Sequence, residues 1–255
     1  MYPDLFGIEG FSMVVMILLG VVAATILLFV FLKKEGVNKK VFLDLSLVII
    51  ATMLVAIIFA ILFENLYESI KHAVNNEPQA WTWGMTFYGG LFGGVVTFIL
   101  MYRFYYLRAN PPIFDKIIII APASITLGHA FGRVGCFLSG CCYGIESHSS
   151  ADIYFPIHNH SFLPTQLYEM GFLLVLAIVF IILAFLHKCR YQMVIYAASY
   201  GVFRFIIEFF RGDERGQLAG LSPSQYWCLI LILGSIPLYF VLKKYLFERQ
   251  KENEI

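Results

Sequence analysis

Only 14% of the 255 residues are Asp, Glu, Lys or Arg, so charges that fall inside apolar runs are the first candidates for chemistry. Arg133, Arg204 and Glu208 are three such residues. A charge at mid-bilayer costs roughly 2.5 kcal/mol or more and is seldom kept without a task. Tyr200, Arg204, Glu208 and Arg211 follow one another at i, i+4, i+8 and i+11, which sets them on one face of a helix. That face must turn toward the protein interior or toward water. Two tasks suit it. Arg204 and Glu208 could pair and tie a helix bundle together. Alternatively, Arg133, Arg204 and Arg211 bind an anion, because the planar guanidinium fork matches phosphate oxygens two at a time. The second is favoured, since the pair alone leaves the other two arginines without a role.

Thiols are the next chemical group. Cys136, Cys141 and Cys142 crowd one short segment, whereas Cys189 and Cys228 stand alone and read as packing residues. Three readings of the cluster stay open. Cys136 could form a disulfide with Cys141 or Cys142 on an oxidising outer surface. The cysteines could be small buried thiols that allow close packing. One could be a nucleophilic thiolate activated by a nearby arginine. The structural readings are preferred over the nucleophile. The adjacent segment holds His148, His158 and His160 beside Asp152, but their spacing matches no closed metal site, so a solvated loop is expected. No metal and no cofactor are expected.

These residues need elements to position them, and composition says which. With 60% hydrophobic and 17% aromatic residues, the chain falls outside the range of soluble domains. Apolar runs long enough to cross about 30 Å of hydrocarbon recur at Met13–Leu32, Val41–Phe63, Tyr88–Tyr106, Ile117–Leu138, Leu167–Leu186, Met193–Phe210 and Tyr226–Leu242. The alternation of a lipid-facing barrel strand is absent, so an all-α membrane protein with about seven transmembrane helices is expected. Lys and Arg gather after the first, third, fifth and seventh runs, at Lys33, Lys34, Lys39 and Lys40, at Arg103, Arg108 and Lys116, at Lys188 and Arg190, and at Lys243, Lys244, Arg249 and Lys251. Those loops should be cytoplasmic, which puts the N-terminus outside and the C-terminus inside. Asp4 and Glu9 precede the first run, opposite to the layout of a cleaved signal peptide, so that run should remain as an anchor. One membrane-embedded domain over residues 1–255 is expected, with outer loops at 64–85 and 139–166. The formal net charge of +1 suggests no nucleic-acid partner.

Glycine spacing marks close helix contacts. Gly89, Gly90, Gly93 and Gly94 form two small-xxx-small pairs, and Gly128 and Gly132 a third.

Four segments then carry a resemblance. Gly132-Arg133-Val134-Gly135-Cys136-Phe137-Leu138-Ser139-Gly140 resembles the signature of the prolipoprotein diacylglyceryl transferase family, roughly Gly-Arg-x-Ala/Gly-Asn-Phe-x-Asn-Gly-Glu. Tyr88-Gly89-Gly90, Pro164 through Glu169, and Tyr200 through Arg211 follow the family's order, so the likeness covers most of the chain. It implies a bacterial inner-membrane enzyme that moves the diacylglyceryl group of phosphatidylglycerol to the cysteine thiol of a lipoprotein precursor, releasing glycerol phosphate. On that likeness Arg133, Arg204, Tyr88 and Glu208 are the catalytic candidates. Gln166, Tyr168, Glu169, Tyr200, Arg211, Gly89 and Gly90 are the substrate-binding ones. The departures fall on the acid-base side. Tyr88 and Leu163 replace histidines, Cys136 and Ser139 replace asparagines, Cys141 replaces a glutamate, and Phe11 or Ser12 takes the place of a tyrosine. A branch that uses another acceptor, or moves another part of the phospholipid, therefore stays open. So do an anionic-lipid transporter or flippase, which the arginine face would also serve, and a silent lipid-binding protein. The expected site is one outer-leaflet cavity lined by Tyr88, Arg133, Gln166, Tyr200 and Arg204, with Glu208 orienting an arginine.

Overall fold

The structure, a computed structural model, describes residues 11–75, 81, 87–212 and 220–253. Asp4, Glu9, Met85, Arg215 and the side chains of Lys71, Tyr88, Arg249 and Lys251 lie outside the described residues. Each apolar run forms a helix. In chain order these are α1 (Phe11–Lys34), α2 (Lys39–Asn75), α3 (Phe87–Met101), α5 (Phe114–Leu138), α6 (Thr165–Phe185), α7 (Gln192–Ile207) and α8 (Pro223–Asn253). A π-turn at Tyr102–Tyr106 and a single turn, α4 (Leu107–Ala109), extend α3. A 3-10 turn, Glu208–Phe210, extends α7. Among the described residues seven helices are thus long and apolar enough to cross a membrane, and the protein is an all-α, multi-pass membrane protein. A helix satisfies its own backbone in lipid, which is why apolar length alone dictated this outcome.

Two segments differ from the sequence reading. Helix α2 runs on to Asn75, so the first part of the expected outer segment 64–85 continues the second span. Within 139–166, Ile153–Phe155 (β1) pairs antiparallel with His160–Phe162 (β2).

The chain forms two compact units. The first contains α1 as far as Phe31 and everything from Phe114 onward; the second runs from Leu32 to Ile113. In the second unit, α3 seats on α2 through its glycines. A Cβ on Gly89 would stand 2.7 Å from the Phe59 carbonyl oxygen, and one on Gly90 would stand 3.3 Å from that of Ala56. The close helix approach expected there is present. Tyr102 and Tyr106 stack at 4.8 Å in the π-turn. Asn110 Nδ2 donates to Asp44 Oδ2 at 2.9 Å, closing the end of this unit.

In the first unit α5 is the central element. Half of its most apolar window is buried inside the protein, against 17% for α1 and 28% for α6, so its polar residues face protein. Gly20 of α1 crosses α5 at Gly128, where a Cβ on Gly20 would meet the Gly128 oxygen at 3.0 Å. Gly135 packs on Met13 and Met16, whereas Gly132 faces open space. Helices α6 and α7 bind each other through Phe172 and Phe203, stacked at 4.2 Å.

Candidate active site

Three helix faces of the first unit converge on one carboxylate. Helix α5 presents His129, Arg133 and Cys136 at i, i+4 and i+7, and α7 with the 3-10 turn that extends it presents Tyr196, Tyr200, Arg204 and Glu208 at successive i+4 steps. Between them α6 contributes Glu169, whose side chain is 2% exposed. Arg133 Nε lies 3.0 Å from Glu169 Oε1. The Tyr200 hydroxyl donates to the same oxygen at 2.7 Å. Arg204 lies within electrostatic reach of that carboxylate as well. Because Glu169 engages Nε, the two Nη groups of Arg133 are left to serve an anion, and the carboxylate fixes the plane of the fork.

Arg204 also meets Glu208, one turn on. Its Nη1 is 2.6 Å from Glu208 Oε2, a contact of charges without hydrogen-bond alignment. Glu208 accepts a hydrogen bond on its other oxygen, Oε1, from the Ser222 hydroxyl just before α8 at 2.7 Å. The pairing that stood as the less favoured alternative to anion binding is therefore formed, yet Arg204 also lies within electrostatic reach of Glu169.

His129 belongs to the cluster and was not singled out from the sequence. Its Nδ1 is 3.2 Å from the Tyr196 hydroxyl. Its Nε2 is 3.5 Å from the Tyr200 hydroxyl and 3.9 Å from Glu169 Oε1. The available signal was its spacing, four residues before Arg133 on an apolar helix. A lone histidine in such a run otherwise reads as core.

The remaining candidates occupy other places. Gln166, 1% exposed, gives its Nε2 to the Cys141 carbonyl at 2.6 Å, and its Oε1 is buried without a partner among the described residues. Tyr168 is 42% exposed on the outside of α6. Arg211 follows the 3-10 turn, bridges to Gly144, and acts electrostatically on Cys142. Gly89 and Gly90 belong to the other unit and pack α3 on α2. A cleft of about 800 Å³ opens at the opposite end of the first unit, lined by Lys188, Arg190, Lys243 and Lys244 among others. That end is the lysine-rich one, away from Glu169.

The cysteine segment closes α5. Gly140 adopts φ +70°, its amide bonds the Phe137 carbonyl at 3.1 Å, and the Cys141 amide bonds the Cys136 carbonyl at 3.1 Å. This is a Schellman cap, which places the side chains of its third-last helical residue and its second residue beyond the end side by side. Here those are Cys136 and Cys141. Cys142 follows at φ +67°, a left-handed conformation that costs a residue with a Cβ roughly 1–2 kcal/mol. The result gathers three sulfurs within 4.8 Å of one another, none of them in a disulfide. S–H donation from Cys136 and Cys141, with Arg211 and Arg133 beyond, holds the Cys142 thiol below its ordinary range. The Cys141 thiol is pushed up by the same contacts with Cys136 and Cys142. Of the loop histidines, His158 bonds the Gly140 carbonyl through Nε2 at 2.8 Å, and His160 pairs with Glu146 at 2.7 Å.

Comparison with known proteins supplies the family. The family model described as prolipoprotein diacylglyceryl transferase matches residues 5–241. A protein of Clostridium tetani named phosphatidylglycerol–prolipoprotein diacylglyceryl transferase is 33% identical over 247 residues, 91% of this chain and 93% of the relative. A second, from Clostridium perfringens and bearing the same name with the number 2, is 29% identical over 254 residues and covers 94% of each chain. A family match over residues 5–241, with relatives covered along more than nine-tenths of their length, places this protein in the prolipoprotein diacylglyceryl transferase family.

Proposed function

We propose that this chain transfers the diacylglyceryl group of phosphatidylglycerol to the cysteine thiol of a lipoprotein precursor, at the outer face of the bacterial inner membrane. The observation that carries the reading is the pairing of the half-buried Arg133 with the buried Glu169, beside Arg204, within an apolar helix bundle. In this reading Arg133 and Arg204 grip the phosphate of the donor. The sulfur of the acceptor attacks the terminal glycerol carbon of the diacylglyceryl group, the bond from that carbon to the phosphate oxygen breaks, and glycerol phosphate leaves. Charge accumulates on the departing phosphate, where preorganised guanidinium groups in a low-dielectric site act most strongly.

Glu169 and Tyr200 position Arg133, and Glu208 positions Arg204. His129 acts as a positioning residue that spans Tyr196 and Tyr200. The roles of Tyr88, Gln166, Tyr168 and Arg211 are those the family resemblance implies, with Gln166 acting through the cysteine loop. Topology follows the lysine pattern, with the N-terminus outside and the C-terminus inside.

The test is direct. The purified chain, in detergent with labelled phosphatidylglycerol and a lipobox peptide, should yield a thioether-linked diacylglyceryl peptide and free glycerol phosphate. No label on the peptide, with the lipid shown to be bound, would defeat the reading.

A further inference from the structure

The acceptor thiol must lose its proton before it can attack carbon, and both buried carboxylates of the cluster are already committed to arginines. Elsewhere in the same unit the protein has assembled three sulfurs with some care. Cys136 is buried and its neighbours are half-buried. The Cys141 thiol donates to the Cys136 carbonyl oxygen at 3.6 Å, and all three sulfurs lie within 4.8 Å of one another. The loop that carries them is fixed from a second element: Thr165 Oγ1 donates to the Cys142 carbonyl at 2.8 Å and Gln166 Nε2 to the Cys141 carbonyl at 2.6 Å. Both anchoring side chains are 1% exposed.

A metal bound to thiolates at about 2.3 Å in tetrahedral geometry separates its sulfurs by about 3.8 Å. Three sulfurs that all lie within 4.8 Å of one another need only small rotamer adjustments to reach that triangle. A disulfide would use two of them and leave the third without a task. Close packing would not require a residue with a Cβ to be held left-handed at Cys142. Three thiolates around a divalent ion carry one net negative charge, and the arginines within electrostatic reach, Arg211 and Arg133, offset it.

We propose that Cys136, Cys141 and Cys142 form a three-thiolate site for a thiophilic divalent cation of the zinc class, with its fourth position taken by an exogenous thiol. Among the described residues the cluster contains no other His, Asp, Glu or Cys ligand, which leaves a fourth position for a ligand from outside. Sites with three protein ligands and one open position are those that act on what they bind. A thiol that coordinates such an ion does so as thiolate and gives its proton to solvent. This part rests on the transferase reading, in which the exogenous thiol is the acceptor cysteine and lies beside the arginines that hold the donor. A metal was not expected from the sequence, because the spacing of one cysteine followed five and six positions later is no standard zinc pattern. The cap geometry that unites the thiols is invisible until the chain is folded.

Cobalt(II) is the probe. The reduced, detergent-purified full chain should take up one Co²⁺, giving the sulfur-to-cobalt charge-transfer and d–d bands of a tetrahedral thiolate site, and Zn²⁺ should displace it. Cys136→Ser, Cys141→Ser and Cys142→Ser should each weaken uptake by about a hundredfold or more, while Cys189→Ser and Cys228→Ser leave it unchanged. Size-exclusion profiles and helical circular dichroism identify any variant that fails to fold. Thr165→Val, which leaves all sulfurs in place but frees the Cys142 carbonyl, should weaken uptake about tenfold, in the range of outer-shell changes. A lipobox peptide should then shift the d–d bands, and the same peptide with Ser in place of Cys should not.

Absence of cobalt bands in the reduced wild type, or bands that persist in folded Cys142→Ser, would overturn the site. Bands unmoved by the cysteine peptide would overturn the fourth-ligand assignment. The uptake measurement uses neither lipid nor peptide, so its failure leaves the transferase reading standing. Loss of transfer with uptake and peptide binding intact counts against that reading and not against the metal site.

Discussion

Glu169 organises the candidate site because four other residues depend on it for their position or charge. Removing its charge leaves the half-buried Arg133 without its counter-ion, and breaking a buried pair costs up to about 3–5 kcal/mol. Glu169→Gln should therefore lower both the thermal midpoint in detergent and the affinity for phosphatidylglycerol. Tyr200→Phe deletes one hydrogen bond to a charged group, worth about 1.5–3 kcal/mol, and should cause a smaller fall in the same two measurements. Equal effects, or a larger one for Tyr200→Phe, would contradict the geometry. His129→Gln should raise KM for the lipid more than it changes kcat, since the residue holds the tyrosines rather than the reacting atoms. A kcat collapse at unchanged KM would make it catalytic instead. Arg133, Arg204 and Glu208 were legible in the sequence because membrane charge is expensive enough to announce itself. His129 was not, since an uncharged imidazole carries no comparable penalty.

At the scale of elements, the α5 cap and the loop after it decide where the thiols and Arg211 sit. Three strands of backbone meet there: the Gly144 amide bonds the Leu163 carbonyl at 2.8 Å, the Ile145 amide bonds that of Phe210 at 2.9 Å, and the Gly212 amide bonds that of Tyr143 at 3.1 Å. A Cβ on Gly144 would stand 2.7 Å from the Phe210 oxygen and 2.8 Å from the Leu163 oxygen, and backbone cannot swing aside as a side chain can. Gly144→Ala should thus cost about 1–3 kcal/mol and expose the 139–166 segment to protease. Gly132→Ala, with nothing within 4 Å of the added carbon, should be neutral or stabilising by up to about 1 kcal/mol. If Gly144→Ala resists protease as the wild type does, the junction is not what holds the loop. Helix positions were readable from hydropathy to within a few residues, except at the C-terminal ends of α2 and α8, which run on past their apolar stretches to Asn75 and Asn253. The β1–β2 hairpin and the junction were not, because strands of three residues carry too little pattern and backbone-to-backbone bonds leave no residue signature.

For the whole molecule, the apolar runs and the lysine pattern fixed a seven-span plan that the described helices follow. Orientation rests on the positive-inside rule and is open to direct labelling. In a variant keeping Cys189 alone, an impermeant maleimide should react only after the membrane is opened. In a second variant, with Ser150→Cys as its one thiol, it should react on intact spheroplasts. The reverse pattern would turn the protein over and move the Glu169 cluster to the cytoplasmic leaflet.

The central claim is that the arginines beside Glu169 hold the phosphate of the lipid donor as it departs. Its most direct test is the rate of label transfer from phosphatidylglycerol to a lipobox peptide by folded, membrane-inserted Arg133→Gln and Arg133→Lys. Removing one preorganised donor to a developing charge costs about a hundredfold to a thousandfold, so the Gln variant should fall by at least that much. The Lys variant should recover little, because a point charge cannot reproduce the two-pronged fork. A folded Arg133→Gln protein that transfers the label at the wild-type rate would contradict the account.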